Sequence, residues 1–193
     1  MIPAVIQDLD LDLALATFCR PIDNYILTSN SNEHVVDLET QKKSLFVTPL
    51  IGQAEERSGK IFNVKNPTNK DFALLQIDHG IINTTATKKC DCTIIDNVDC
   101  AFIEFKTNAT STKTSTVKAN YQKAQKQLST TINIFRNGIT SIGKDLDTLR
   151  NIEAYICFRK GYPRQTASEG TYRVKFAAAN RCALYFDSEK TLR

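Results

Sequence analysis

Tryptophan is absent from the 193 residues, methionine occurs once and histidine twice. With aromatics at only 8%, nothing indicates the aromatic surface that carbohydrate or lipid sites use. No apolar run reaches the roughly 18 residues that a membrane span needs. Basic tails and Lys/Arg blocks are missing too, so any positive surface must be assembled by folding. The first residues lack a basic leader, and Asp8, Asp10 and Asp12 interrupt their apolar pattern, which argues against a secretory signal. The expectation is a cytoplasmic protein without membrane association. Six cysteines are present (Cys19, Cys90, Cys92, Cys100, Cys157 and Cys182). A chain of this size has no need of disulfide staples. Cys90, Cys92 and Cys100 form at most half a zinc site, because neither His34 nor His79 supplies a fourth ligand at the usual spacing. Reduced, buried thiols that pack as small hydrophobes are expected.

What is present is ordinary for a globular chain: 41% apolar residues, 24% charged and a net charge of +4. The length suits one domain over residues 1–193 with a single core. Residues 1–71 read as a helical and loop extension, with a helix over Asp8–Phe18 ended by Pro21, loop chemistry at Thr28–Glu33 and a polar surface run over 52–70. The pattern changes at Phe72. FALLQIDHGII reads as a buried strand. CDCTIID and CAFIEFKT, around the turn-prone Asn97-Val98-Asp99, read as a β-hairpin. A Thr/Ser-rich connector then leads to a helix in which Tyr121, Ala124, Gln127 or Leu128, Ile132 and Phe135 recur at helical spacing, with Gly138 as its stop. NIEAYICFRK returns to β composition. YRVKFA and ALYFD suggest C-terminal strands over 161–193. The fold class is α/β (α+β): a central mixed sheet flanked by helices, its core at about 72–160 and the hairpin at its centre.

Alternation along the hairpin determines which side chains meet. On the second strand Phe102, Glu104 and Lys106 share one face, while Ile103, Phe105 and Thr107 share the other. Folding about residues 97–99 brings Asp91 opposite the Glu104–Lys106 end. Two carboxylates and an ammonium then occupy a small volume among apolar neighbours. That set suits phosphodiester hydrolysis. Mg²⁺ (or Mn²⁺) prefers oxygen ligands from one or two carboxylates, here Asp91 and Glu104, with the backbone carbonyl of Phe105 as a third. Lys106 would orient or deprotonate water, or stabilise developing negative charge.

The run KKCDCTIID…AFIEFK, followed by a helix bearing A-x-x-Q-L, resembles the PD-(D/E)xK, or restriction-endonuclease-like, nuclease superfamily. It is most similar to a bacterial branch with a CD strand, an IExK strand and an AxxQL helix. The matching positions are Cys90-Asp91, Ile103-Glu104-Phe105-Lys106, and Ala124 with Gln127-Leu128. The resemblance covers about residues 72–160. It implies a restriction-endonuclease-like core, with Asp91 and Glu104 as metal-binding acids, Lys106 as the catalytic lysine, and Gln127 beside the site against phosphate or water. It also implies a Mg²⁺-dependent nuclease, with DNA as substrate ahead of RNA. By analogy the enzyme would be an effector of bacterial anti-phage or restriction defence, its target chosen through a partner protein or homo-oligomerisation. The alternative is a catalytically inactive nucleic-acid-binding or assembly subunit that retains the fold. Where the branch carries Gly soon after the Lys, this chain has Thr107-Asn108, and its connector is longer and richer in Thr and Ser.

Further residues deserve weight. Glu55 or Glu56 would match an additional acid that many members carry on an early helix. Asp78 and His79 would approach the site if their strand neighbours the hairpin. Lys113, Lys118, Lys123 and Lys126, and the group Arg159, Lys160 and Arg164, could contact a nucleic-acid backbone or lie on solvated faces.

Overall fold

A computed structural model of the chain describes residues 2–18, 21–38, 41–48, 51 and 60–193. A 3-10 turn at Ala4–Leu9 leads into the single-turn helix α1 (Leu11–Ala14), and a second 3-10 turn at Ile22–Tyr25 leads into strand β1 (Ile26–Ser29). There follow β2 (Glu33–Leu38), β3 (Lys43–Val47), β4 (Phe62–Lys65), β5 (Phe72–Gln76), β6 (Cys92–Ile95) and β7 (Asp99–Lys106). The long helix α2 (Thr114–Ser141), the short α3 (Leu146–Leu149), β8 (Asn151–Phe158), α4 (Thr166–Asn180), β9 (Ala183–Tyr185) and β10 (Glu189–Thr191) complete the described elements.

The architecture is mixed α/β. A six-stranded sheet runs in the order β1-β5-β6-β7-β8-β9, and a four-stranded sheet in the order β10-β4-β2-β3. The larger sheet is antiparallel from β1 through β7 and parallel from β7 to β9. Its central strand β7 is buried along both faces, and alternate residues enter two different cores. Cys100 and Phe102 face α2, where Val117, Tyr121, Ala124, Leu128, Ile132, Phe135 and Ile139 form one apolar stripe. Phe102 meets Phe135 edge-on at 5.2 Å between ring centroids. Ala101, Ile103 and Phe105 face the smaller sheet, against Val35, Phe62 and Val64. The larger sheet is thus a middle layer, helices on one side and the second sheet on the other.

Several expectations need correction. Residues 1–71 are not a helical and loop extension, since they supply β1 to the main sheet and β2, β3 and β4 to the second. Within the expected surface run 52–70, Ile61, Phe62 and Val64 are buried. Asp8–Phe18 is α-helical only over Leu11–Ala14. The strand expected over 72–82 stops at Gln76, where the chain doubles back with Ile81 N–H donating to the Gln76 carbonyl at 2.9 Å. Gly80 permits this turn, because a Cβ there would stand 2.2 Å from that same carbonyl oxygen. YRVKFA lies in α4 and is helical, so residues 161–193 are a helix plus two short strands. Helix α2 continues through Gly138 to Ser141. No helix among the described residues is long and apolar enough to cross a membrane.

Candidate active site

The hairpin forms as its alternation requires, with Cys92 opposite Ile103 and Ile95 opposite Cys100. One step beyond that ladder, Asp91 comes to lie against Glu104. Its backbone N–H donates to the Ile103 carbonyl at 3.1 Å, and its carbonyl accepts from Ile77 and Asp78 of the β5 turn at 3.0 and 3.2 Å. The main chain of Asp91 is therefore held between β7 and the turn after β5, and its side chain is fixed as well. Oδ2 accepts from the Phe105 N–H at 2.6 Å. In a strand the N–H and C=O of one residue point the same way, so the Phe105 carbonyl also turns to the Asp91 side.

Glu104 is 1% exposed, with Oε1 accepting from Lys106 Nζ. Its Oε2 is buried and has no hydrogen-bond partner among the described residues. Lys106 Nζ also donates to Gln127 Oε1 at 3.0 Å. Gln127 Nε2 in turn donates to the Lys89 carbonyl at 2.9 Å, tying α2 to the loop that leads into Asp91. One turn along α2, Thr131 Oγ1 accepts from the Cys90 N–H at 2.8 Å and donates to the Gln127 carbonyl at 3.0 Å. Asp91, Glu104, Lys106 and Gln127 are thus brought to one place by the hairpin and α2, the first three as strand alternation predicts and Gln127 where the resemblance puts it.

The electrostatics follow from burial. Glu104 is pushed up to about 7, first by desolvation, while the Lys106 ammonium and its hydrogen bond act the other way. Asp91 is raised well above the usual carboxylate range by burial and then by the neighbouring Glu104 charge. Two further acids contribute, and neither lies in the hairpin. Asp37 on β2 raises both Asp91 and Glu104, and Asp78 raises Glu104. Lys89, only 6% exposed, sits 3.2 Å from Asp78. Asp78 was legible as a residue beside the hairpin, whereas Asp37 and Lys89 were not. Asp37 arrives from a strand that composition did not reveal. Lys89 looks like half of an ordinary polar Lys-Lys pair.

The remaining candidates separate cleanly. His79 has a left-handed φ of 56° and lies 3.8 Å from Asp78, at the exposed edge of the turn. Cys90, Cys92, Cys100, Cys157 and Cys182 are free and buried, and burial raises their thiols, so none is a poised thiolate. No group of three or more His, Cys, Asp or Glu among the described residues forms a ready metal cage. Glu55, Glu56 and Cys19 lie outside the described residues. Arg164 is engaged by Glu169 through two bonds of 2.6 and 2.7 Å, which removes it from the free basic rim. Lys118, Lys123 and Lys126 are exposed on α2.

Two carboxylates, one carrying an orphaned buried oxygen, and one backbone carbonyl are the donors on offer. This is a hard, oxygen-only set that suits Mg²⁺ or Mn²⁺, which complete their shells with water or phosphate oxygens. The same acids raise one another above their ordinary range, and a cation would relieve that repulsion. Comparison with protein-family models, with curated proteins and with solved structures finds no match.

Proposed function

We propose that this protein is a metal-dependent nuclease of the PD-(D/E)xK type, with a restriction-endonuclease-like core, hydrolysing phosphodiester bonds in DNA. One observation carries the reading: Asp91, Glu104, Lys106 and Gln127 converge around a buried carboxylate oxygen that lacks a partner. Burying a carboxylate oxygen without a donor costs several kcal/mol on the scale of roughly 1–3 for a neutral group and more for a charged one. At Glu104 that oxygen stands beside Asp91 and Lys106, where a bound cation would offset the cost.

Asp91, Glu104 and the Phe105 carbonyl would hold the metal. Bound Mg²⁺ or Mn²⁺ would polarise the phosphate and lower the pKa of water. The chain's own residues do the rest. The Phe105 N–H fixes one oxygen of Asp91 and leaves the other free to bind. Gln127 and Glu104 hold the Lys106 ammonium at the rim of the site, where it would orient the attacking water or meet negative charge growing on the phosphate. Apolar Phe102 and the α2 stripe beneath exclude bulk water from that end of the strand and strengthen these charges. As an effector of bacterial defence, such an enzyme would take its target from a partner protein or from a second copy.

The test is cleavage of plasmid, linear duplex and single-stranded DNA and of RNA, with Mg²⁺, Mn²⁺ or EDTA, by wild type, Glu104→Ala and Lys106→Ala. The reading expects divalent-dependent cleavage that each substitution lowers by at least ~100-fold, the scale of a lost acid–base or electrostatic contribution. Equal cleavage by all three proteins, or indifference to EDTA, would sink it. Nucleic-acid binding without cleavage under any metal would leave the catalytically inactive binding subunit in its place.

A further inference from the structure

From Phe105 through Gly143 the chain contains no Asp or Glu, while Lys106, Lys113, Lys118, Lys123, Lys126 and Arg136 all fall there. Solvated helices ordinarily mix signs and form i,i+4 pairs between them. Helix α2 has no acid in any of its 28 residues. Several other cations are matched: Lys65 with Glu189, Lys144 with Asp10, Arg181 and, near the far end of α2, Arg136 with Asp147, and Arg150 with Asp8. Lys118, Lys123 and Lys126 form no ion pair among the described residues. These three unmatched lysines all lie on the half of α2 that leads to Gln127.

Helix geometry spreads these three lysines across the whole solvent side. The stripe Val117, Tyr121, Ala124 and Leu128 faces the core, and Lys126 lies on the opposite side of the helix. Lys123 is one turn before Gln127 and shares its flank, toward Lys106. Lys118 is on the other flank. There a cleft of about 640 Å³ opens between α2 and the start of α4, lined among others by Lys118, Gln122, Thr166, Thr171 and Lys175. Its nearest acid, Glu169, is buried and already bonded to Arg164 and Tyr121. A second acid-free run, residues 154–168, borders the same region and carries Arg159 and Lys160.

We propose that the first half of α2 is a ridge over which a nucleic acid lies. One phosphate reaches Lys106 and Gln127 on one flank, and neighbouring phosphates meet Lys126 on the crest and Lys118 and Lys175 in the cleft beyond. Assigning the polyanion as substrate rests on the nuclease reading; the binding surface itself does not.

The experiment is fluorescence anisotropy with labelled 30-mer duplex and single-stranded DNA in EDTA, titrated at several salt concentrations. It compares wild type with the triple variant K118Q/K123Q/K126Q and with K144Q/R181Q, whose residues lie past the far end of the helix. The triple variant should weaken binding at least ~10-fold and flatten the slope of log affinity against log salt by about 2–3, roughly one per lost phosphate contact. K144Q/R181Q should bind as wild type does, and circular dichroism should show all three equally folded. Unchanged affinity and slope in the triple variant overturn the ridge, as does failure of wild type to bind either DNA. Lysine-dependent binding to phosphatidylserine vesicles with no binding to DNA overturns it in favour of a membrane surface. Cleavage measured in parallel with Mg²⁺ separates the two proposals. Binding through the ridge without cleavage fails the nuclease reading alone, and cleavage with an unaltered triple variant fails the ridge alone.

Discussion

Glu104 is an acid whose folded-state value, about 7, lies above its ordinary 4.5, and that displacement fixes the sign of its effect. The folded protein binds this proton more tightly than the unfolded chain does. The stability this contributes is fully present below pH 4.5 and is lost as pH rises through about 7. At about 1.4 kcal/mol per pH unit the loss is on the order of 3 kcal/mol. Glu104→Gln, which stays neutral, should therefore be more stable than wild type above pH 7 and similar to it near pH 4.5, as thermal melts across that range would reveal. Divalent cation should reverse the order. Mg²⁺ at millimolar concentration should raise the melting temperature of wild type at pH 8 and leave Glu104→Gln little changed. Metal affinity, and with it cleavage, should climb with pH through about 7 as the carboxyl ionises, then level off. A melting profile without this crossover would mean that Glu104 is an ordinary structural acid. Lys106→Ala probes the same carboxylate from the other side, since it removes the ammonium that lowers it and should move the crossover to higher pH.

At the level of elements, the close approach of α1 to α2 depends on Gly138. A Cβ there would lie 2.3 Å from the Ala14 carbonyl oxygen, a backbone atom that cannot swing aside. Gly to Ala inside a helix ordinarily stabilises by about 1 kcal/mol. Gly138→Ala should instead destabilise by about 1–3 kcal/mol, the usual range for forcing extra volume into a packed contact. Gly170→Ala, within α4 and with nothing inside 4 Å of the added carbon, should show the ordinary gain. Urea denaturation of the pair tests whether packing or propensity governs each site. The same contrast explains what the sequence made legible. The hairpin was readable because β6 and β7 are buried along their lengths and their partner is three residues away. Gln127 was readable only through the A-x-x-Q-L pattern of the resemblance, because the buried α2 stripe takes Leu128 instead. β1 and β2 were not, because they are short, partly exposed and rich in polar residues, and the partner of β1 lies far along the chain. With them Asp37 escaped notice. α4 misled for a different reason. It buries only Glu169, Phe176 and Asn180, so the alternating Tyr172–Phe176 window outweighed a sparse helical stripe. Gly138 read as a helix stop because sequence cannot show that another backbone passes against it.

On the scale of the whole molecule, the two ends of the central strand serve different purposes. Lys106, at the end of β7, belongs to the proposed active site. Asp99, at its start, is 1% exposed and bonded at 2.9 Å to Lys190, itself 2% exposed, which also reaches Glu153 at 2.7 Å. Arg193 Nη2 meets the other oxygen of Glu153 at 2.7 Å, and Tyr155 donates its hydroxyl to Glu153 at 2.8 Å. Lys190 lies on β10, which pairs with β4 of the smaller sheet, while Asp99 opens β7 and Glu153 is the third residue of β8 in the larger one. The lysine therefore joins the two sheets through a pair of buried carboxylates that would otherwise repel. Lys190→Met keeps the stem but takes the buried ammonium from Asp99 and leaves Glu153 with Arg193 and Tyr155 alone, and breaking a buried pair in this way costs about 3–5 kcal/mol. Seven residue steps of roughly 3.3 Å separate Asp99 from Lys106, placing the defect about 23 Å from the chemistry. The expected result is a large fall in denaturation midpoint together with a cleavage rate, measured well below the melting transition, within about twofold of wild type. Loss of cleavage in a protein still folded by circular dichroism would show that the inter-sheet ion network and the active site are coupled through the sheet. Asp37 would be the first residue to examine, since β2 carries it from the sheet that Lys190 anchors to the acids at the opposite end of the strand.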